Sequence, residues 1–270
     1  MLFRSLQTCI EEQGQLKAKG FEKTLSEIII SHGYIDKITA YKLMTLEGMI
    51  PGYTIKDVLG SGGLGIVYKA FSEKLEKEVA IKILNPEYTD NTVILTRFLR
   101  EIDISIKLEH PNIVKGIDSG RVDDIYYLVL EYIDGVSLSS YVAKFGAMSD
   151  EKVFSVAATV SNALYYAWGK GLTHRDIKPG NIMLSKTGQL KVCDFGLAKL
   201  ADANVGVTMT GTIVGSPYYI SPEQVNGLTL DYRSDIYSLG ATLYFLSTGK
   251  VMFDEKTMIE IGRASCRERV

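Results

Sequence analysis

Apolar positions change their spacing twice along the 270 residues of this chain. Across residues 1 to 50 they recur at helical intervals. In FEKTLSEIIISHGYIDKITAYKLMTLEG, Leu25, Ile28 and Ile29 share one face and Ala40, Leu43 and Met44 another, on either side of Gly33, which predicts a helical pair. MIPGY then supplies the Pro-Gly punctuation of a junction near residue 51. From Tyr53 to Ile133 the runs shorten to strand length (YTIKDVL, GIVYKAF, EVAIKIL, IVKGID, YYLVLEYI), broken by one helical segment, NTVILTRFLREIDISIKLE. Beyond residue 137 helices return, notably SDEKVFSVAATVSNALYYAWGKG, with Ser149 at its cap, and DIYSLGATLYFLSTG. The expected architecture is α+β: a helical extension over 1–50, a small β-rich lobe with one key helix over 53–133, and a larger helical lobe over 134–260.

Composition removes several classes of function. Lys+Arg 30 against Asp+Glu 32 gives a net charge of -2, with no basic footprint for nucleic acid and no polybasic patch for a membrane surface. No apolar stretch approaches the length of a membrane span, and the start, MLFRSLQTCIEEQ, lacks a signal-peptide pattern, so a cytoplasmic location is expected. Cys9, Cys193 and Cys266 form neither a paired framework nor a metal-ligand spacing, which fits a reducing compartment.

Candidate chemistry begins at GSGGLGIV, where Gly60, Gly62 and Gly65 stand in a G-x-G-x-x-G pattern that lets backbone N–H groups approach a phosphate. A dinucleotide fold would need a helix directly after these glycines. IVYKAF reads as a strand instead, which disfavours that fold. Lys82 then interrupts the apolar run VAIKIL, and an inward ammonium needs an anionic partner. Glu101, in the helical RFLREIDIS, is the candidate, although a single helical glutamate is as readily a solvated surface residue.

NIMLSKTGQLKVCDFG reads as a β-hairpin turning at Gly188, so Asn181 before its first strand and Asp194 after its second share one open end. A carboxamide oxygen and a carboxylate are hard ligands suited to Mg²⁺. In THRDIKPGN, Asp176 is placed to accept a hydroxyl proton and Lys178 to neutralise charge on a phosphoryl group in transfer.

Taken in order, the glycine loop, VAIK, Glu101, HPNIV, EYIDG, HRDIKPGN, DFG, SPE and SDIYSLG resemble a eukaryotic-type serine/threonine protein kinase of the bacterial kind, over roughly residues 53 to 256. The resemblance implies a two-lobed protein-kinase fold and ATP- and Mg²⁺-dependent phosphorylation of protein Ser/Thr hydroxyls. It implies Asp176 as catalytic base, Lys178 at the γ-phosphate, Lys82 paired with Glu101, and Asn181 and Asp194 on the metal. ATP would lie under Leu59, Gly60, Ser61, Gly62, Gly63, Leu64, Gly65, Ile66 and Val67. Adenine would sit between Val67, Ala80 and Met183, held by the backbone of Glu131 and Ile133 behind the gatekeeper Leu130. His110 and His174 are implied to be structural, with His174 beneath Phe195, and Cys193 is a small buried hydrophobe. A pseudokinase or nucleotide-binding scaffold is the alternative from another class.

Between Asp194 and Glu223 the hydroxyl-rich GLAKLADANVGVTMTGTIVGSPYYI predicts an activation segment. Phosphate on Thr208, Thr210 or Thr212 would add about -1.5 to -2 charges and recruit Arg175, which implies autophosphorylation, with a dimer of two kinase copies as one route. Ser216 stands where the family carries a threonine that braces the catalytic loop. Two departures stand out. Ser105 and Gly116 occupy positions that carry a hydrophobic stack in active kinases, so the active state is expected to be poorly populated without phosphorylation or the N-terminal helices. The ending IGRASCRERV lacks apolar periodicity and resembles a translated sequencing adapter, so residues 261–270 are expected to be an artefactual tail on a truncated domain. Glu223 would then lack its usual arginine partner, and apolar surface would be exposed on DIYSLGATLYFLSTG.

Overall fold

The computed structural model describes residue 12, residues 50–62, 64–195 and 217–253. Apart from Glu12, which is helical, and Ile50, the extension predicted over residues 1–50 lies outside the described residues, as do Gly63, Thr208, Thr210, Thr212, Ser216 and the tail 261–270. The chain divides into two compact units, residues 1–58 with 68–79 and residues 59–67 with 80–270. In the first, Glu78 accepts from Lys56 at 3.3 Å and pairs with Lys69 at 2.9 Å, while Lys56 lies 5.0 Å from the ring centre of Phe71. These are exposed contacts of small individual weight.

The strands β1 (Tyr53–Gly62), β2 (Gly65–Ser72), β3 (Lys77–Leu84), β4 (Gly116–Val122) and β5 (Ile125–Glu131) form one sheet in the order β1-β2-β3-β5-β4. From Val79 onward β3 is buried on both faces, as its apolar run, interrupted only by Lys82, requires, and this takes Lys82 out of solvent. Helix α1 (Thr92–Lys107) begins where Asn91 Oδ1 accepts from the N–H of Ile94 at 3.1 Å. Its Phe98 is fully buried with Leu84 and Leu128, and each such side chain stabilises by about 1.5–3 kcal/mol through burial.

The predicted strand IVKGID splits in two. Val114 N–H donates to the Val192 carbonyl at 2.8 Å, Val192 N–H donates to Asn112, and Ile113 bridges Val192 in parallel. Residues 112–114 therefore serve the strand Leu190–Val192, and only Gly116 onward pairs with β5. A one-strand pattern of apolar residues cannot distinguish one partner from two.

The helical lobe contains a sheet of β6 (Gly135–Ser137), β7 (Ile182–Ser185) and β8 (Leu190–Val192) in that order. Its helices are α2 (Leu138–Phe145), α3 (Asp150–Gly169), the short α4 (Pro222–Val225) and α5 (Tyr232–Thr248). Ser149 stands at the cap of α3 in extended conformation, but its hydroxyl makes no capping bond. Leu138, Val160, Ala163, Ile177, Ile182 and Leu246 form the buried centre of the lobe. Ile236 and Tyr244 on α5 are exposed. No helix among the described residues is long and apolar enough to cross a membrane.

Candidate functional site

Lys82 projects from the buried part of β3 and its Nζ lies 2.6 Å from Glu101 Oε1 on α1 and 3.1 Å from Asp194 Oδ1. All three belong to the second unit. Burial alone would lower the Lys82 pKa, but the charges of Asp194 and Glu101 more than offset it and the net direction is upward. The Lys82 charge likewise holds the Asp194 carboxyl below its ordinary range, against burial. Burial pushes Glu101 the other way, although its contact with an ammonium is the geometry of a carboxylate.

The hairpin of β7 and β8 turns through Gly188, whose φ of 86° is the left-handed conformation that glycine adopts freely. It brings Asn181 and Asp194 to one end, where Cys193 N–H donates to the Asn181 carbonyl at 3.0 Å. Asp176 Oδ2 accepts from Lys178 Nζ at 2.8 Å and from Asn181 Nδ2 at 3.0 Å. A second bond from Asn181 Nδ2, to the Asp176 carbonyl at 2.8 Å, fixes the amide and leaves its oxygen as a ligand. No group of three or more His, Cys, Asp or Glu side chains suited to a metal occurs among the described residues. The two oxygen donors, the Asn181 carboxamide and the Asp194 carboxylate, fit Mg²⁺, which binds few protein groups and completes its shell with other oxygens.

Arg175 and Asp194 have φ of 65° and 62°, conformations that cost of order 1–3 kcal/mol each for side chains of this kind. Asp235 on α5 holds the first of them. Its two oxygens accept from the backbone N–H groups of His174 at 2.8 Å and Arg175 at 2.7 Å. Gln224 Nε2 also donates to the Arg175 carbonyl at 2.8 Å. The His174 ring packs edge-on against Phe195 with centroids 4.6 Å apart, and its Nε2 lies 3.0 Å from the Cys193 carbonyl. His110 is structural too: its Nδ1 accepts from Asn112 N–H at 3.1 Å. Burial pushes the Cys193 thiol well up, away from thiolate chemistry.

The sequence reading assigned no role to Asp235 and Gln224. Both fall within or beside quoted motifs, SDIYSLG and SPE, but only the fold reveals that they bind main-chain groups 49 to 61 residues away.

Of the residues expected to hold a nucleotide, Leu59, Gly60 and Ser61 are exposed at the end of β1, Leu64 lies in the turn, and Ile66 and Val67 follow on β2. Gly65 has the strictest requirement, since a Cβ there would meet the Ile83 carbonyl oxygen at 1.9 Å. Ala80 is buried on β3, Leu130 and Glu131 close β5, Ile133 follows, and Met183 lies on β7. The Glu131 N–H donates to the Lys115 carbonyl at 3.0 Å, while its carboxylate accepts from Lys115 N–H at 2.8 Å and pairs with Lys191. Glu223 accepts from the Ser234 hydroxyl at 2.8 Å, a local partner at the start of α5 that the sequence reading did not foresee.

Residues 53–270 match the protein kinase domain. Serine/threonine-protein kinase PrkC of Bacillus subtilis is 40% identical over 209 residues, which are 77% of this chain and 32% of that protein. Serine/threonine-protein kinase PknB of Mycobacterium tuberculosis is 37% identical over 221 residues, 80% of this chain and 35% of the relative. The chain thus spans about a third of the length of these curated relatives. The crystal structure of the Mycobacterium tuberculosis PknI kinase domain superposes with a TM-score of 0.62 at 29% identity, covering 76% of this chain and 78% of that one.

Proposed function

We propose, on the premise that this chain belongs to the protein kinase domain family, that it transfers the γ-phosphoryl group of ATP to serine and threonine hydroxyls of proteins. The observation that carries the reading is the convergence of the buried Lys82 and Glu101 with the partly buried Asp194, with Asp176, Lys178 and Asn181 hydrogen-bonded in a second cluster at the hairpin end.

Both contacts to Asp176 fall on Oδ2, so Oδ1 is the oxygen for the acceptor hydroxyl. As the hydroxyl oxygen bonds to the γ-phosphorus, its proton passes to Asp176 and the bond to the β,γ-bridging oxygen breaks, with ADP leaving with the electron pair. Lys178, anchored to Asp176, faces the transferring group and offsets its charge. Lys82 holds the other phosphates, and Glu101 holds Lys82. Asn181 and Asp194 would bind Mg²⁺, which when present neutralises charge on the phosphate oxygens. The Glu131 carbonyl and the Ile133 backbone orient adenine between Val67, Ala80 and Met183.

Autophosphorylation at Thr208, Thr210 or Thr212 extends the reading, with Arg175 as the receiving cation and a second copy as the donor kinase. The domain would act where ATP is supplied, in the cytoplasm. Calorimetric titration with ATP tests the binding half: affinity should require Mg²⁺ and fall in Asp194→Asn. ATP affinity unchanged by either removal would count against this reading. Incubation with ATP followed by mass spectrometry tests the second half, which fails if none of the three threonines gains phosphate.

A further inference from the structure

A small cavity lies between α1 and the end of β8. It has a volume of about 10 Å³, and its lining includes Glu101, Ser105, Leu130, Val192, Asp194 and Phe195. A site of roughly 10–15 Å³ holds one water, provided that two or more polar groups face it.

One of those groups is left over from the site described above. Glu101 gives Oε1 to Lys82, but Oε2 is buried and has no hydrogen-bond partner among the described residues. The residue is only 2% exposed. A buried carboxylate oxygen without a partner loses its hydration uncompensated, and a protonated Oε2 would still need an acceptor, so either form calls for a partner. Ser105 stands one helical turn after Glu101, on the same face of α1, 8% exposed and lining the same cavity. Asp194 and Phe195 also line it.

We propose that this cavity is a binding site for one ordered water, which donates to Glu101 Oε2 and is held by the Ser105 hydroxyl, making Ser105 a positioning residue for the Lys82–Glu101 pair. The water bonds the side of Glu101 that Lys82 does not, and so sets the rotation of the carboxylate. A polar bridge thereby takes the place of the apolar side chain that Ser105 lacks. The enzymatic consequence rests on the kinase reading; the water itself does not.

The test is a high-resolution crystal structure of the full chain, together with ATP kinetics of Ser105→Ala and Ser105→Thr. Density for a water within hydrogen-bond distance of Glu101 Oε2 and Ser105 Oγ is expected. Ser105→Ala should raise KM for ATP about 2- to 10-fold, the range that one net hydrogen bond represents, with a smaller change in kcat, and Ser105→Thr should restore it. A dry cavity, or Ser105→Ala with unchanged KM, overturns the proposal. If the parent chain transfers no phosphate, the proposed function fails while the density still decides the water.

Discussion

Gly116 and Ser105 meet backbone to backbone: a Cβ built on Gly116 would lie 2.6 Å from the Ser105 carbonyl carbon and 2.7 Å from its oxygen. Two positions that carry side chains of a hydrophobic stack in the resembled kinases are here a serine and a glycine, and at the glycine β4 comes close to the backbone of α1. Replacement of Gly116 by Ala must push the helix bearing Glu101 away from the strand. Gly116→Ala should therefore destabilise by about 1–3 kcal/mol, the usual cost of overpacking, as measured by urea unfolding. Gly60→Ala, where a Cβ meets nothing within 4 Å, should leave the unfolding midpoint close to the parent's. Equal midpoints for the two variants would contradict the close approach.

Lys82 is the single cation placed between two carboxylates in the buried cluster, and Lys82→Met leaves Glu101 facing Asp194 without it. A loss of about 3–5 kcal/mol is expected, the range for breaking a buried ion pair by removing one partner. Lys82→Met/Glu101→Gln should lose less than the sum of the single changes, because the uncompensated charge goes with the second substitution. Strict additivity would show that the pair is not coupled.

The same cluster fixes a pH dependence. The Lys82 pKa in the folded chain is raised above the ordinary 10.5, so the folded state binds its proton more tightly than the unfolded state does. Its contribution is complete below the unfolded pKa and declines as pH rises from there through the folded value. The stability difference between the parent and Lys82→Met should hold constant from neutral pH to about pH 10, near the ordinary lysine pKa, and shrink above it. A difference that grows across the alkaline range would reverse the sign.

Asp235 holds two successive backbone N–H groups, one of them at the left-handed Arg175. Each such bond to a charged acceptor contributes about 1.5–3 kcal/mol. Asp235→Ala should lower both the unfolding midpoint and kcat, since the chain from His174 to Asp176 loses its anchor while the contacts of Lys82 with Glu101 and Asp194 persist. Asp235→Asn should keep one of the bonds and fall between. A variant with parental kcat would show that the strained turn holds itself.

Much of this was legible in the sequence, for identifiable reasons. The hairpin at Gly188 follows from turn chemistry and local alternation, and Asn181 and Asp194 inherit their proximity from it. Lys82 announces itself as a charge inside an apolar run. The Glu101 pairing needed the resemblance, because a glutamate on an amphipathic helix looks the same whether solvated or buried. Asp235 was missed because its partners are main-chain groups, which no side-chain pattern records. The break in IVKGID was missed because Ile113 and Gly116 serve different sheets, a tertiary choice that alternation does not encode. Ser105 and Gly116 were visible as departures from the motif, but only coordinates reveal that the glycine admits the helix backbone.

Transfer of labelled γ-phosphate from ATP to a protein acceptor, compared between the parent chain and Asp176→Asn, tests the central claim most directly. The parent should label protein on serine or threonine, and Asp176→Asn should do so at least about 100-fold more slowly, the scale of a lost general base. Its ATP affinity and unfolding midpoint should remain those of the parent. Equal transfer by the two chains, or ATP binding by the parent without any transfer, would contradict the assignment of Asp176 as the base of a working kinase.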